Sequence, residues 1–192
     1  MTPLHPRGCS TERLDLRPVT PSDRHHLVAL EADPEVMRFL NGGQSVPEAG
    51  CPDADFLTPR GTEPEVLAAH ERSTGRFIGW FALFDDGRVD GLRTAEVGYR
   101  LHRWAWGQGF ATEGVAALVA QAFETLGFDR VRAQTMAVNA GSRRVLAKAG
   151  FRHVDTVFPD HPRQPPGGEA GEVVYERRRH PGHGNSGCIA TH

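Results

Sequence analysis

The sequence has little cysteine. Its three residues, Cys9, Cys51 and Cys188, stand far apart and form no CxxC pair. That pattern supplies neither a disulfide framework nor a zinc site, and it fits a reducing compartment. Apolar runs are short, and none approaches the roughly 20 residues needed to cross a bilayer. Residues 1–10 hold Pro3, Pro6 and Gly8 with no apolar core, unlike a signal peptide. A cytoplasmic protein with no membrane partner is expected. Charge of one sign is not in excess: the formal net charge is −2, which gives no case for a nucleic-acid partner. The ten histidines lack company. His25 and His26 are adjacent, so on a helix they point apart, and His180 and His183 lie in a Gly/Pro-rich tail. No convergent ligand set is formed, and no metal is expected. Internal repeats are absent.

At 192 residues the chain fits one domain with a substantial core. Leu14 and Leu16 alternate with Arg13, Asp15 and Arg17, which reads as a first strand. Thr20-Pro-Ser-Asp and Asp33-Pro-Glu are helix starts, and Asn41-Gly-Gly stops the second helix after Leu40. Residues 44–64 carry four prolines and no sustained period, and read as a long irregular loop. Residues 66–71 and 77–84 flank Ser73-Thr-Gly-Arg76 as a hairpin, 85–91 read as a second turn, and 94–102 as a third strand. On that strand Glu96, Gly98, Arg100 and His102 share one face, and Val97, Tyr99 and Leu101 share the other. The strongest helical period runs from Val115 through Leu118, Val119, Ala122 and Phe123 to Leu126, closed by Gly127. A strand over 130–138, a helix over 143–149, and strands over 151–158 and 172–178 follow. The fold class is α+β, one mixed, mostly antiparallel sheet with helices on both faces. The domain spans 11–179, between a flexible residues 1–10 segment and a disordered tail at 180–192.

Between the third strand and the strong helix lies Trp106-Gly107-Gln108-Gly109-Phe110-Ala111-Thr112-Glu113-Gly114. Two glycines at a strand-to-helix junction let backbone N–H groups approach a bound group. The first helical turn leaves its donors unpaired and carries partial positive charge. Gln108 to Thr112 therefore suit the pyrophosphate of a nucleotide-like cofactor. A turn that merely starts a helix is the plainer alternative.

The context of that stretch is specific. Glu96-Val-Gly-Tyr-Arg-Leu precedes it, and Val138-Asn139-x-x-Ser142-x-x-Val-Leu-x-Lys148-x-Gly150-Phe151 follows it. With these motifs the chain resembles the GCN5-related N-acetyltransferases (GNAT superfamily). Thr11-Glu-Arg-Leu-x-Leu-Arg-Pro and Gly75-x-Phe-Ile-Gly-Trp80 resemble its RimJ/RimL-like branch. The resemblance implies a sheet that splays at a cleft for acetyl-CoA, here between 94–102 and 130–138. It implies a pantetheine arm bonded to the backbone of Val97, Tyr99 and Leu101, and a pyrophosphate held by the Trp106, Gly107, Gln108, Gly109, Phe110, Ala111 and Thr112 loop. Asn139 matches the motif's pantetheine contact, and a turn residue is its plainer role. Trp106 stands where the family usually carries Gln or Arg, so backbone donors should dominate phosphate binding.

N-acetyl transfer needs a neutral amine, a polarised thioester carbonyl and a proton for the departing thiolate. Glu96 is the candidate general base, its pKa raised by burial near Trp80 and Tyr99. Many family members place a Tyr seven residues after the motif asparagine, and here that position is Leu146. Ser142 is the candidate to replace it, with helix capping as its competing role. Arg143 and Arg144 stand near the implied phosphates, though a solvated helix face is their commoner use. The activity implied is acetyl transfer from acetyl-CoA to a primary amine, either a protein N-terminal α-amine or a small-molecule amine such as an aminoglycoside or polyamine. A fold that holds acetyl-CoA without turnover is the rival class. The partners expected are acetyl-CoA and the amine acceptor, in a monomer or homodimer.

Overall fold

The computed structural model describes residues 6–40, 42–43, 65–159 and 165–180. The expected irregular loop at 44–64 and the tail beyond His180 lie outside the described residues. The strands are β1 (Cys9–Ser10), β2 (Leu14–Pro18), β3 (Val66–Glu71), β4 (Phe77–Val89), β5 (Leu92–Leu101), β6 (Arg130–Met136), β7 (Arg152–Val157) and β8 (Glu172–Arg178). The α-helices are α1 (Arg24–Ala32), α2 (Pro34–Met37), α3 (Phe110–Glu124) and α4 (Ala140–Lys148). All strands form one sheet in the order β1-β2-β3-β4-β5-β6-β8-β7. Every neighbouring pair is antiparallel except β5 and β6, which are parallel.

Two apolar clusters show which helices cover which face. Leu27, Leu30 and Val36 from α1 and α2 pack on Ala68, Phe77, Trp80 and Ala82. Val115, Leu118, Val119 and Leu146 from α3 and α4 pack on Leu14, Leu67, Phe81, Val97 and Val131 on the opposite face. A mixed sheet with helices on both faces is thus the architecture, as the element order led one to expect.

Phe77 and Trp80 share a face although they are three apart. β4 bulges at Ile78, which has no register partner opposite the Ala69–His70 step of β3, and the alternation is reset there. Gly79 lies at this bulge with φ of 149°, and a Cβ there would fall 2.1 Å from the Arg100 carbonyl oxygen. Only glycine fits.

The parallel pairing of β5 with β6 is short. It joins Thr94 to Arg130, Ala95 to Val131 and Glu96 to Arg132, and then ends. Beyond it β5 stays with β4 as far as Leu101, while β6 stays with β8 as far as Met136. The sheet therefore divides just after Glu96. Its closed end is clamped by buried Arg130, whose Nε donates to Thr94 Oγ1 (3.2 Å) and whose Nη2 donates to the Val89 carbonyl (2.9 Å), with Glu176 3.5 Å away.

Several boundaries differ from the sequence reading. Residues 85–91 do not form one turn. β4 continues to Val89 through an irregularity at Asp85–Arg88, and the reversal is the two-residue Asp90-Gly91, with φ of 52° and 78°. That is the Asp-Gly hairpin signature, masked in the sequence by Asp85-Asp86-Gly87 just before it. α2 ends at Met37 rather than Leu40. α4 begins at Ala140 rather than Arg143. Residues 7–10 are not loose: Arg7 N donates to Gln121 Oε1 (2.9 Å), and β1 pairs with β2.

Candidate active site

A cavity of about 850 Å³ opens where the sheet divides, walled by β4, β5, β6, α2, α4 and the glycine turn. The alternation along β5 gives it two sides. Val97, Tyr99 and Leu101 face the α3/α4 side, and Glu96, Gly98 and Arg100 face the α1/α2 side beside Trp80 and Phe84. The gap between β5 and β6 joins the two sides.

The glycine turn occupies one wall. Gly107 and Gly109 both adopt positive φ, 74° and 87°, and Gly109 is the residue before the first turn of α3. The first backbone donor returned to the chain is Glu113 N, to the Gly109 carbonyl at 3.0 Å. The N–H groups of residues 107–112 have no partner among the described residues. Unpaired donors at the positive end of a 15-residue helix suit an anion.

The cradle is braced from behind by a residue the sequence reading did not single out. Arg13 Nη1 donates to the Gln108 carbonyl (2.8 Å), and its Nε donates to Glu113 Oε2 (2.7 Å). Glu113 also accepts from Thr11 Oγ1 (2.5 Å) and from Arg13 N (2.8 Å), which with burial in opposition holds its pKa down. The guanidinium thus fixes one carbonyl inside the turn. The signal was present: Arg13 lies in the opening Thr11-Glu-Arg motif, but strand alternation explained it too easily.

The other predicted residues separate by side chain. Trp106 is half exposed, and its Nε1 donates to the Leu101 carbonyl (2.8 Å), so that carbonyl already has a donor. Gln108 turns its side chain back to the Trp104 carbonyl (2.6 Å). Phe110 is buried in the core, with Arg13 stacked 4.6 Å from its ring centre. These two can serve a ligand only through their backbone. Ala111, Thr112, Val97 and Asn139 line the cavity.

Glu96 sits at the point of division, half-buried, and its carboxyl is pushed above the usual range. Burial is the main cause, Asp86 adds to it, and Arg132 opposes it. Tyr99 plays no part, since it points to the opposite face. There its hydroxyl meets Ser142 Oγ at 2.9 Å, bridging β5 to α4 across the cleft. Burial drives the Tyr99 phenol up to about 12, so it stays a donor at any working pH.

The cap of α4 is Asn139, not Ser142. Its side-chain oxygen accepts from Ser142 N at 3.1 Å, which leaves the Ser142 hydroxyl free for Tyr99. Leu146 is 1 % exposed and belongs to the core. Arg143 is committed to the Tyr175 hydroxyl (3.3 Å) and the Ala137 carbonyl (3.1 Å), while Arg144 lines the cavity. Among the described residues no group of three or more His, Cys, Asp or Glu is placed to hold a metal, and no helix is long and apolar enough to cross a membrane.

Residues 13–152 match the family model described as an acetyltransferase (GNAT) domain. The chain belongs to the GNAT acetyltransferases. It is 33% identical over 176 residues to the FsC-acetyl coenzyme A-N(2)-transacetylase of Aspergillus fumigatus, covering 88% of this chain and 75% of that one. It is 30% identical over 148 residues to the uncharacterized N-acetyltransferase YoaA of Bacillus subtilis, covering 74% of this chain and 81% of that one. Among solved structures, a GNAT-family acetyltransferase from Bacillus anthracis superposes with a TM-score of 0.74 at 20% identity, over 89% of this chain and 98% of that one. The GNAT fold and an acetyltransferase activity follow. The division of the sheet after Glu96 and the unpaired donors at 107–112 are features of this chain that fit acetyl-CoA.

Proposed function

We propose that the protein transfers the acetyl group of acetyl-CoA to a primary amine, with Glu96 as the base that takes the amine's proton. The observation that carries this is the position of Glu96 at the division of the sheet, where the two sides of the cavity meet. The name of the Aspergillus relative, with acetyl coenzyme A and a nitrogen in it, agrees.

Each group then has one task. The N–H groups of residues 107–112 hold the pyrophosphate. The unpaired edge of β5 at Val97 and Tyr99 offers backbone partners to the pantetheine arm. Glu96, its pKa raised toward that of a useful base, accepts a proton as the amine nitrogen bonds to the thioester carbon. Ser142 Oγ donates a hydrogen bond to the sulfur as the carbon–sulfur bond breaks, with Tyr99 Oη donating to Ser142 Oγ behind it, and the thiolate is protonated from solvent, to which Glu96 releases the amine's proton. This pair takes the role of the tyrosine whose position Leu146 occupies. Binding both substrates in one cleft supplies much of the remaining acceleration.

The RimJ/RimL resemblance points to a protein N-terminal α-amine as acceptor. A small-molecule amine is the second reading, and the carboxylates on the cavity wall, Glu35, Glu96 and Glu172, favour it by suiting a cationic acceptor.

Purified protein is mixed with acetyl-CoA and a panel of amines and peptides, and free thiol is followed across pH. Glu96→Gln should lower kcat by roughly 100-fold and flatten the acid limb of the pH–rate curve, with acetyl-CoA affinity unchanged. Undiminished activity with the same pH profile removes Glu96 as the base.

A further inference from the structure

Glu96 is the last residue of β5 to pair with β6, and the residue opposite it is Arg132. Residues directly across a strand pair turn their side chains to one face, with roots about 5 Å apart. The rung two residues before confirms the face: Thr94 lies opposite Arg130, and their side chains meet at 3.2 Å. By alternation Glu96 and Arg132 share it. On the other flank β4 pairs Phe84 with Glu96, and Asp86 follows two residues after Phe84. The base of the reaction thus has a cation beside it on one strand and a carboxylate near it on the other.

The other charges about it are committed. Arg100 is ion-paired with buried Glu31 of α1. Arg130 donates to Thr94 and the Val89 carbonyl and stands 3.5 Å from Glu176. Glu176 lies opposite Arg132 on β8, but it is held by Arg130 and by Arg178 Nε at 2.8 Å. Glu172 accepts from Gln134 Nε2 and stands on the cavity wall, as does Glu35 of α2. Of these cations Arg132 alone has neither an ion pair nor a side-chain hydrogen bond among the described residues. Neither Arg132 nor Asp86 belongs to the cavity wall, whereas Glu96 does. A substrate in the cavity therefore meets Glu96, with Arg132 behind it in the closed part of the sheet.

Two demands compete at such a base. It must be ionised to take a proton, and burial favours the neutral acid. A carboxylate bonded to a cation is ionised but is a weaker base. A cation that is close and not bonded answers both. We propose, resting on Glu96 as the base, that Arg132 is a positioning residue of the reaction: it holds the Glu96 carboxylate ionised for the incoming amine, and Asp86 works against it. The directions agree. Burial and Asp86 raise the Glu96 carboxyl, Arg132 lowers it, and Glu172 raises it further. Burial raises Asp86 as well, and Arg132 is the first cause that opposes it, so one guanidinium serves both carboxylates.

The test labels the glutamate carboxyls with carbon-13, identifies the Glu96 resonance by its loss in Glu96→Gln, and titrates it. Arg132→Met should move that titration to higher pH and Asp86→Asn to lower pH. Arg132→Lys, which keeps the charge, should hold it near the wild-type position. The thiol-release assay then uses the amine of the panel that is turned over fastest. Its acid limb should move in the same directions, so that at one pH on that limb kcat/KM falls about threefold in Arg132→Met and rises about as much in Asp86→Asn. The titration of the amine itself is common to all variants and cancels. An unchanged Kd for acetyl-CoA shows that each variant is folded, and general damage does not produce opposite shifts. A Glu96 resonance that Arg132→Met leaves in place, or that Arg132→Lys moves equally, overturns the role of Arg132 and leaves Glu96 standing as the base. A resonance that moves while the acid limb does not overturns Glu96 as the base, and the role of Arg132 with it.

Discussion

The guanidinium of Arg13 touches two things that matter to the cradle: the Gln108 carbonyl inside the turn and the Glu113 carboxylate on the first turn of α3. Two effects compete at Glu113. A carboxylate at a helix N-terminus is favourable to the helix. The same charge beside an incoming phosphate is unfavourable unless a cation answers it. Arg13 answers it, and so lets one residue stabilise the helix without repelling the ligand. Arg13→Met should weaken acetyl-CoA binding about tenfold, the size of one charge-assisted hydrogen bond. Adding Glu113→Gln should recover part of that loss, since the unanswered carboxylate is then gone. Calorimetric titration of the single and double variants reads both effects. Additive losses would show that Arg13 acts on the turn through the Gln108 carbonyl alone. Gly109→Glu tests the cradle itself: a carboxylate among the donors should reduce acetyl-CoA binding below detection, and a retained affinity in a folded variant would assign the phosphates elsewhere.

Among the elements, α3 shows how a local preference yields to packing. Gly114 lies inside the helix, where alanine would be better by about 1 kcal/mol. A Cβ there would fall 2.2 Å from Phe81 Cζ, a fully buried ring on β4. Forcing extra volume into a filled core costs roughly 1–3 kcal/mol, so packing wins. Gly114→Ala should lower stability by about 1–2 kcal/mol in urea melts, and a stabilised variant would show that Phe81 can yield. The same competition explains what the sequence could tell. Elements whose pattern and packing agree were legible: β2 from alternation, α3 from its helical period, the β3–β4 hairpin from its turn. Glu96, Tyr99 and Ser142 could be placed because a period of two fixes faces and a motif fixes spacing. The Tyr99–Ser142 bridge could not, because it joins residues 43 apart through the geometry of two elements. The Asp90-Gly91 turn was legible in principle and was hidden by a stronger-looking neighbour.

At the scale of the whole molecule, one aromatic ring collects histidines from three parts of the chain. Phe77 has His26 stacked at 4.9 Å, His70 edge-on at 5.5 Å and His102 edge-on at 5.9 Å. His25 lies 3.8 Å from His26, and Arg76 stacks 3.6 Å over Trp104, which in turn stacks on His102. Burial is the first cause that lowers the pKa of His26, His70 and His102. Arg17, Arg76 and the neighbouring imidazoles add to it, and Asp15, Asp23 and Asp33 oppose it. A histidine whose folded pKa is depressed binds protons more readily unfolded. Its contribution to stability is present above the unfolded value near 6.5 and is lost as pH falls below it. Asp23 does not offset this, because Arg17 and Thr20, working against burial, hold its carboxyl at about 2, well below that window. The urea midpoint should therefore drop between pH 7 and pH 5. The drop should be shallower in His26→Gln, which removes one of the titrating groups while leaving the cavity intact. A midpoint that stays level across this range, or a slope that His26→Gln leaves unchanged, would mean that the Phe77 cluster accepts protons without cost. The cluster includes α1, and α1 carries the Glu31 that pairs with Arg100 on the cavity wall. Loosening it by acid should therefore raise the KM for the amine before it affects the affinity for acetyl-CoA, which rests on α3 across the sheet.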